Sequence, residues 1–273
     1  MGPLVYSKSP EESRHMRSTE ELAEVGDRIF ITPGNLPRYV REWPFTGEAR
    51  RPFREKYKGV PIRWQVEERI VSELIEFYEK KLDEALLHIR SGGRVGLPSF
   101  FRNRRTDEEY IYDLIDGWLV EDIIYKGWLS PRLKKAFPDV QISLVGTDKD
   151  RVIEWENPSK ITTRPDFKYS VSGKSKRIEL QMAREERDSF DMKETKIKRA
   201  LKEGDIIYMW VIIPNDRYFL LDPKFFEGKR PTPNPNWGGK KVFTISRSEV
   251  ELFSLREELP ERALEILRVS DNP

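Results

Sequence analysis

The chain has 273 residues and a formal net charge of only +2, so it is not a uniformly basic nucleic-acid binder. Charged residues make up 35% of it, with 19 Pro and no Cys, which excludes disulfides and thiolate metal sites. With His15 and His88 as the only histidines, a His-based zinc site or a Ser-His-Asp triad is also out of reach.

Any metal would therefore be held by oxygen, which suits magnesium, manganese or calcium. The abundance of Lys, Arg and Glu with no Cys fits a heat-adapted protein. No apolar run reaches 18 residues and the N-terminus lacks a signal-peptide core, so we read the chain as soluble and cytoplasmic.

In chain order, Ser18–Val25 reads as a charged helix and "RIFIT" (28–32) as a short strand. Residues 34–63 are rich in Pro, Arg and aromatics and carry eight basic side chains against three acidic ones. This stretch is either an arm wrapping its own domain or an arm that tracks phosphates, with Arg50, Arg51 and Arg54 as contacts. A long amphipathic helix is expected over Trp64–Arg90, stopped by Ser91-Gly92-Gly93. "FRNRR" (101–105) places Arg102, Arg104 and Arg105 beside two Phe, as a solvated loop or a DNA-contact loop.

Thr106 and Glu109 form a capping-box signature for a second helix running to about Lys126. Its apolar stripe of Ile111, Leu114, Ile115, Trp118 and Tyr125 also carries Glu121. A carboxylate on such a stripe needs a buried Arg or a metal as partner. Strands are expected at 141–146, 161–171, 177–183, 205–214, 217–222 and 242–245. The run 205–214 is apolar enough to be buried on both faces. Helices are expected over 189–203 and from Ser246 onward, the second broken or restarted at Pro260. This order describes an α/β protein: a mixed central sheet flanked by helices, with an irregular, mostly helical N-terminal region. We divide it into 1–105 (arm and helices), 106–222 (core) and 223–273 (loop, strand and terminal helix).

The segment "TTRPDFKYSVSGKSKRIELQMAREE" (162–186) reads as a hairpin. With Gly173-Lys174 as its turn, Asp166 opposes Gln181 and Lys168 opposes Glu179, all on one face. Two carboxylates and an amide oxygen around one point make a site for a hard cation, with Asp166 and Glu179 as ligands. The alternative is an exposed hairpin with ordinary charges.

Pro165-Asp166 followed by Glu179-Leu180-Gln181 resembles the motif of the PD-(D/E)xK nuclease superfamily, with Gln in place of the usual Lys. The resemblance spans roughly residues 107–222. It implies a restriction-endonuclease-like core and a preceding helix that bears a Glu, a role Glu121 suits. It also implies Mg²⁺-dependent (or Mn²⁺-dependent) hydrolysis of double-stranded DNA, leaving 5′-phosphate and 3′-hydroxyl ends. On that reading Asp166, Glu179, Gln181 and Glu121 are catalytic, and Lys193, aligned with Phe190 and Ile197, stands in for the missing Lys. Arg184 and Arg187 become phosphate contacts, and a site-specific restriction-type homodimer is the first expectation. A repair or structure-specific nuclease comes next. A non-catalytic nucleic-acid-binding protein on the same fold, and an interaction module with no nucleic-acid role, are the readings from other classes.

Overall fold

The structure, a computed structural model, describes residues 22–25, 28–31, 45, 50–93, 105–146, 149–153, 165–235 and 239–269. Its elements in chain order begin with β1 (Leu22–Val25), β2 (Arg28–Ile31), α1 (Phe53–Tyr57), α2 (Val60–Trp64), α3 (Glu68–Arg90) and α4 (Asp107–Asp122). A π-helical turn (Ile123–Leu129), α5 (Ser130–Ala136), β3 (Gln141–Leu144), β4 (Phe167–Val171), β5 (Lys174–Ala183) and β6 (Ser189–Lys193) follow. The chain continues through α6 (Glu194–Glu203), β7 (Ile206–Ile212), β8 (Arg217–Leu221), β9 (Thr232–Asn234), β10 (Lys240–Ser246), β11 (Phe253–Ser254) and α7 (Glu261–Leu267).

The central sheet has six strands in the order β11-β8-β7-β5-β4-β3. Its β5–β7 pair is parallel and every other neighbour is antiparallel, so the sheet is mixed. A crossover through β6 and α6 makes the parallel step possible. β7 shows how the sheet is buried. Ile207, Met209 and Val211 enter one apolar cluster, while Ile206, Tyr208, Trp210 and Ile212 enter the other. This is the period-2 alternation of a strand covered on both sides. The first cluster packs α1–α5 and α7 against the sheet, drawing residues from Phe53 to Leu267. The second packs α6 and the small sheet β6-β10-β9 on the opposite face.

Several expectations are corrected in detail. The helix expected over 18–25 is, within the described residues, the strand β1, paired antiparallel with β2 from Leu22↔Ile31 to Val25↔Arg28. An eight-residue helix is marginal on its own, and a close hairpin partner outcompetes it. The helix expected from Trp64 breaks in two, because Gln65 adopts φ 50° and ends α2 before α3 begins. The predicted capping box is present, with Glu109 N–H donating to Thr106 Oγ1 at 3.1 Å and Thr106 N–H to Glu109 Oε2 at 2.9 Å. The α-helix it opens ends at Asp122 and passes into the π-turn.

The expected 189–203 helix is a strand followed by a helix. Phe190 and Met192 alternate into the core and pair with β10, and helix begins only at Glu194. The C-terminal expectation holds only from Pro260, where the helix was expected to break or restart. Ser246 and Glu249 cap only a 3₁₀ turn, β11 pairs with β8, and the helix starts after Pro260. Among the described residues no helix is long and apolar enough to cross a membrane.

Candidate functional site

The hairpin β4–β5 turns at Ser172-Gly173, one residue earlier than expected, with Val171 paired to Lys174. Both turn residues have positive φ, 50° and 80°, the signature of a type I′ hairpin. Ser172 is held there by Asp139 Oδ2, which accepts from its N–H at 3.0 Å and its hydroxyl at 2.9 Å. Moving a turn by one residue shifts every cross-strand partner by two. Lys168 therefore pairs with Arg177 instead of Glu179, and the ladder ends at Phe167 opposite Ile178, so Asp166, one residue beyond it, is not paired with Gln181. A shift of two preserves the faces, so Glu179 and Gln181 still share one side of β5.

That side faces α6. Glu179 is only 4% exposed, and its neighbour on β7 is Tyr208. Glu179 Oε1 accepts from Gln181 Nε2 at 2.9 Å and is ion-paired with Lys196 of α6. Tyr208 closes the arrangement by donating its hydroxyl to the Lys196 carbonyl at 2.8 Å. Gln181 also donates to the Leu180 carbonyl at 2.8 Å, so its amide nitrogen orients Glu179 while tied to the strand.

Asp166 stands just before β4. Its N–H donates to the Ile178 carbonyl at 3.0 Å, and its Oδ2 accepts from Leu180 N–H at 2.7 Å. Burial pushes its carboxyl well above the usual Asp range. The neighbouring Glu121 and Glu179 push it further, against Lys196 and the Leu180 N–H. Burial alone would lower the Lys196 ammonium, but Glu179, Asp166 and Glu121 more than offset it and hold its pKa above the ordinary value. Lys196 is therefore a cation at neutral pH.

Glu121 is bound to Arg151, Oε2 to NH1 at 2.8 Å, and Arg151 also reaches Asp122 Oδ1 at 2.5 Å. The structure thus gives Glu121 the buried Arg that its place on an apolar stripe required, and still leaves it close enough to act on Asp166 and Lys196. The donor set is oxygen only, as a hard cation demands. Among the described residues, no three His, Cys, Asp or Glu side chains are gathered as a metal-holding group. Asp166 and Glu179 supply two carboxylates close enough to act on each other's charge.

Lys193 is the last residue of β6, just before α6, so it does not lie on the helix face where the sequence reading put it. The error came from starting the helix at 189, which phased Lys193 with Ile197. Lys196 makes the contact with Glu179, and its signal was an acidic motif lacking its own Lys just ahead of a basic helix.

The candidate DNA-contact arginines are largely engaged with carboxylates of their own chain. Arg50 grips Asp113 through Nε and NH2, each at 3.0 Å, and reaches Glu109 at 2.9 Å. Arg105 binds Asp113 at 2.7 Å, and Arg54 binds Glu79 at 3.1 Å while remaining mostly exposed. Arg51 is exposed, and its carbonyl accepts from the Tyr112 hydroxyl at 2.6 Å. Arg184 binds the fully buried Asp116 at 2.6 Å, and exposed Arg187 lies 3.5 Å from Glu185. Arg102 and Arg104 lie outside the described residues. Glu109, Asp113 and Asp116 form one stripe of α4 at spacings of four and three, which is the sequence signal for this network.

The Asp166 carboxyl yields an expected result that needs no activity assay. Its raised pKa means the folded state holds a proton the unfolded chain releases, so stability falls as pH rises from the ordinary Asp range through the raised value. Asp166→Asn should therefore raise the melting temperature at neutral pH. Mn²⁺ or Mg²⁺ should raise it for the wild type and not for Asp166→Asn. Equal metal-induced shifts in both proteins would remove Asp166 from any cation site.

No family model matches the chain, and no curated protein matches it. Among solved structures it is similar to Archaeoglobus fulgidus Hjc, a Holliday junction resolvase from an archaeal hyperthermophile. The TM-score is 0.30 and the identity 12%, over 50% of this chain and 96% of that one. A likeness of that size carries no inference about activity.

Proposed function

We propose that the protein is a metal-dependent DNA endonuclease that hydrolyses phosphodiester bonds at Asp166 and Glu179. The observation that carries this reading is the meeting of Asp166 beside β4, Glu179 of β5 and Lys196 of α6. Two buried carboxylates beside one lysine are a poor structural ion pair, because ionising both is costly, a cost Asp166 avoids by holding its proton. They are a good receptor for a divalent cation. Asp166 and Glu179 would hold Mg²⁺ or Mn²⁺, which when bound supplies an acidified water and charge neutralisation at the phosphate.

The remaining roles belong to the chain's own residues. Lys196 stays protonated, so it serves as a hydrogen-bond donor and positive charge and not as a general base. Placed beside the carboxylates, it can hold the attacking water and stabilise charge developing on a phosphate oxygen. It takes the place of the lysine absent from position 181. Gln181 keeps the Glu179 carboxylate in orientation. Glu121, restrained by Arg151, adds negative field that favours cation binding.

A restriction-type homodimer acting on double-stranded DNA is the form we favour, since cutting both strands suits two-fold symmetry. The test incubates purified protein with plasmid, branched DNA, single-stranded DNA and RNA, with Mg²⁺ or with EDTA, at temperatures suited to a heat-adapted protein. Discrete plasmid fragments in Mg²⁺ alone are expected. Cutting confined to branched substrates would move the reading to a repair nuclease. No cutting of any substrate would leave a binding protein at most.

A further inference from the structure

The two faces of the central sheet are covered unequally. On one face Ile142, Leu144, Phe167, Tyr169 and Ile178 carry β3, β4 and β5 into the larger apolar cluster. On the other, α6 and the small sheet cover β7, β8 and the end of β5, and no residue of β3 or β4 enters the cluster there. Alternation and register define what this bare shelf presents. One cross-strand row is Ser143–Lys168–Arg177 and the next is Gln141–Ser170–Ser175. Gln141, Ser143 and Lys168 are exposed, and the other three are half-buried. Both rows are polar and neither holds a carboxylate. Arg177 is ion-paired with Glu203 and Asp205, whereas among the described residues no carboxylate pairs with Lys168. Glu179 follows Arg177 by two residues on the same face of β5, which makes it the diagonal neighbour of Lys168, roughly 7–8 Å away at the backbone. The shelf therefore borders the carboxylate site, and Lys196, paired with Glu179, stands where the covered part begins.

We propose that the bare face of β3, β4 and β5 is a phosphate track, in which Lys168 binds a backbone phosphate of the DNA strand whose scissile phosphate lies at Asp166 and Glu179. The identity of the strand rests on the nuclease reading. Three observations support the track. Its side chains are a lysine with hydroxyl and amide donors, the groups that contact phosphates without reading bases. It has no apolar centre, which a stable protein partner would require. It is also continuous with the carboxylates, so a strand laid along it passes Lys168 and arrives at Glu179 and Lys196. The arginines Arg50, Arg105 and Arg184, by contrast, are occupied by the acidic stripe of α4.

The experiment is equilibrium binding of a fluorescein-labelled DNA duplex in EDTA across a range of salt, so no cleavage is needed. Wild type is compared with Lys168→Gln, with Lys168→Arg, and with Lys134→Gln, which removes one charge from an exposed position on α5, against the covered face of the sheet. The track predicts a weaker complex for Lys168→Gln and a slope of log K against log salt shallower by about 0.9, the loss of one phosphate contact. Lys168→Arg keeps the charge and should keep the slope, and so should Lys134→Gln. An unchanged slope in Lys168→Gln, the same loss in Lys168→Arg or Lys134→Gln, or no duplex binding by the wild type would overturn the track. So would a dimer of the free protein, followed by sedimentation, that Lys168→Gln dissociates, because the face would then join two copies of the chain. The expected slopes in a protein that cuts nothing in Mg²⁺ would uphold the track as a binding surface and count against the nuclease reading.

Discussion

Lys196→Ala is expected to lower the rate of DNA cleavage by about 10²–10³, the usual effect of deleting a donor aimed at developing transition-state charge. Asp166→Ala and Glu179→Ala should abolish it, because on the proposed reading each removes a carboxylate that would hold the cation. Lys196→Ala differs from these in a way that can be measured. The alanine variant no longer neutralises Glu179, so the paired carboxylates become more electronegative and Mn²⁺ should bind at least as tightly by calorimetry while turnover falls. Lys196→Arg keeps the charge but not the compact point donor, and should recover part of the rate. Gln181→Ala should be milder, since it removes one hydrogen bond to Glu179 and no charge. A Lys196→Ala enzyme with wild-type turnover, or one that fails for lack of bound metal, would show that Lys196 is only a structural counter-ion.

The two carboxylates were legible in the sequence because strand period protects a face against an error of register. The turn was misplaced by one residue, the partners moved by two, and Glu179 and Gln181 remained on one face. β7 was legible because seven consecutive buried residues have few other solutions. Lys196 was harder to read. "DSFDMKETKIKRALKE" has helical spacing at Phe190, Ile197 and Leu201, but the Phe190–Met192 alternation also fits a strand. Pairing with β10, some fifty residues later in the chain, decided between them. Local periodicity contains no information about that partner. The basic side chains of 50–63 show a related limit of composition. Composition counts charges, and only the tertiary fold shows that Arg50 and Lys56 meet the α4 carboxylates while Arg63 meets Asp216 at 3.2 Å. For these described residues, the reading of an arm that wraps its own domain describes what the structure contains.

That wrapping has a centre, and breaking it should give the largest loss of stability available from one side chain. Asp116 is fully buried and accepts from Lys56 Nζ at 3.0 Å, the Tyr57 hydroxyl at 2.6 Å and Arg184 Nε at 2.6 Å. It joins α1, α4 and the end of β5 through one carboxylate. Asp116→Ala removes the acceptor and leaves a largely buried lysine, a buried phenol and a guanidinium without it, which is expected to cost about 3–5 kcal/mol. Burial already lowers the Lys56 pKa, and Asp116 is the main opposing influence, so the variant should lower it further. A lysine whose folded pKa is depressed binds fewer protons in the native state than in the unfolded one, so its cost is relieved as pH rises toward the ordinary value of 10.5. Urea titrations followed by tryptophan fluorescence should therefore show the deficit of Asp116→Ala narrowing between pH 7 and pH 9. Asp116→Asn, which keeps one acceptor oxygen, should lose less, and a second change, Lys56→Met, should recover part of the loss in the alanine background by removing the stranded charge. A deficit of under about 1 kcal/mol, the usual size of an exposed ion pair, or one that widens with pH, would mean that the carboxylate is not the centre of the network.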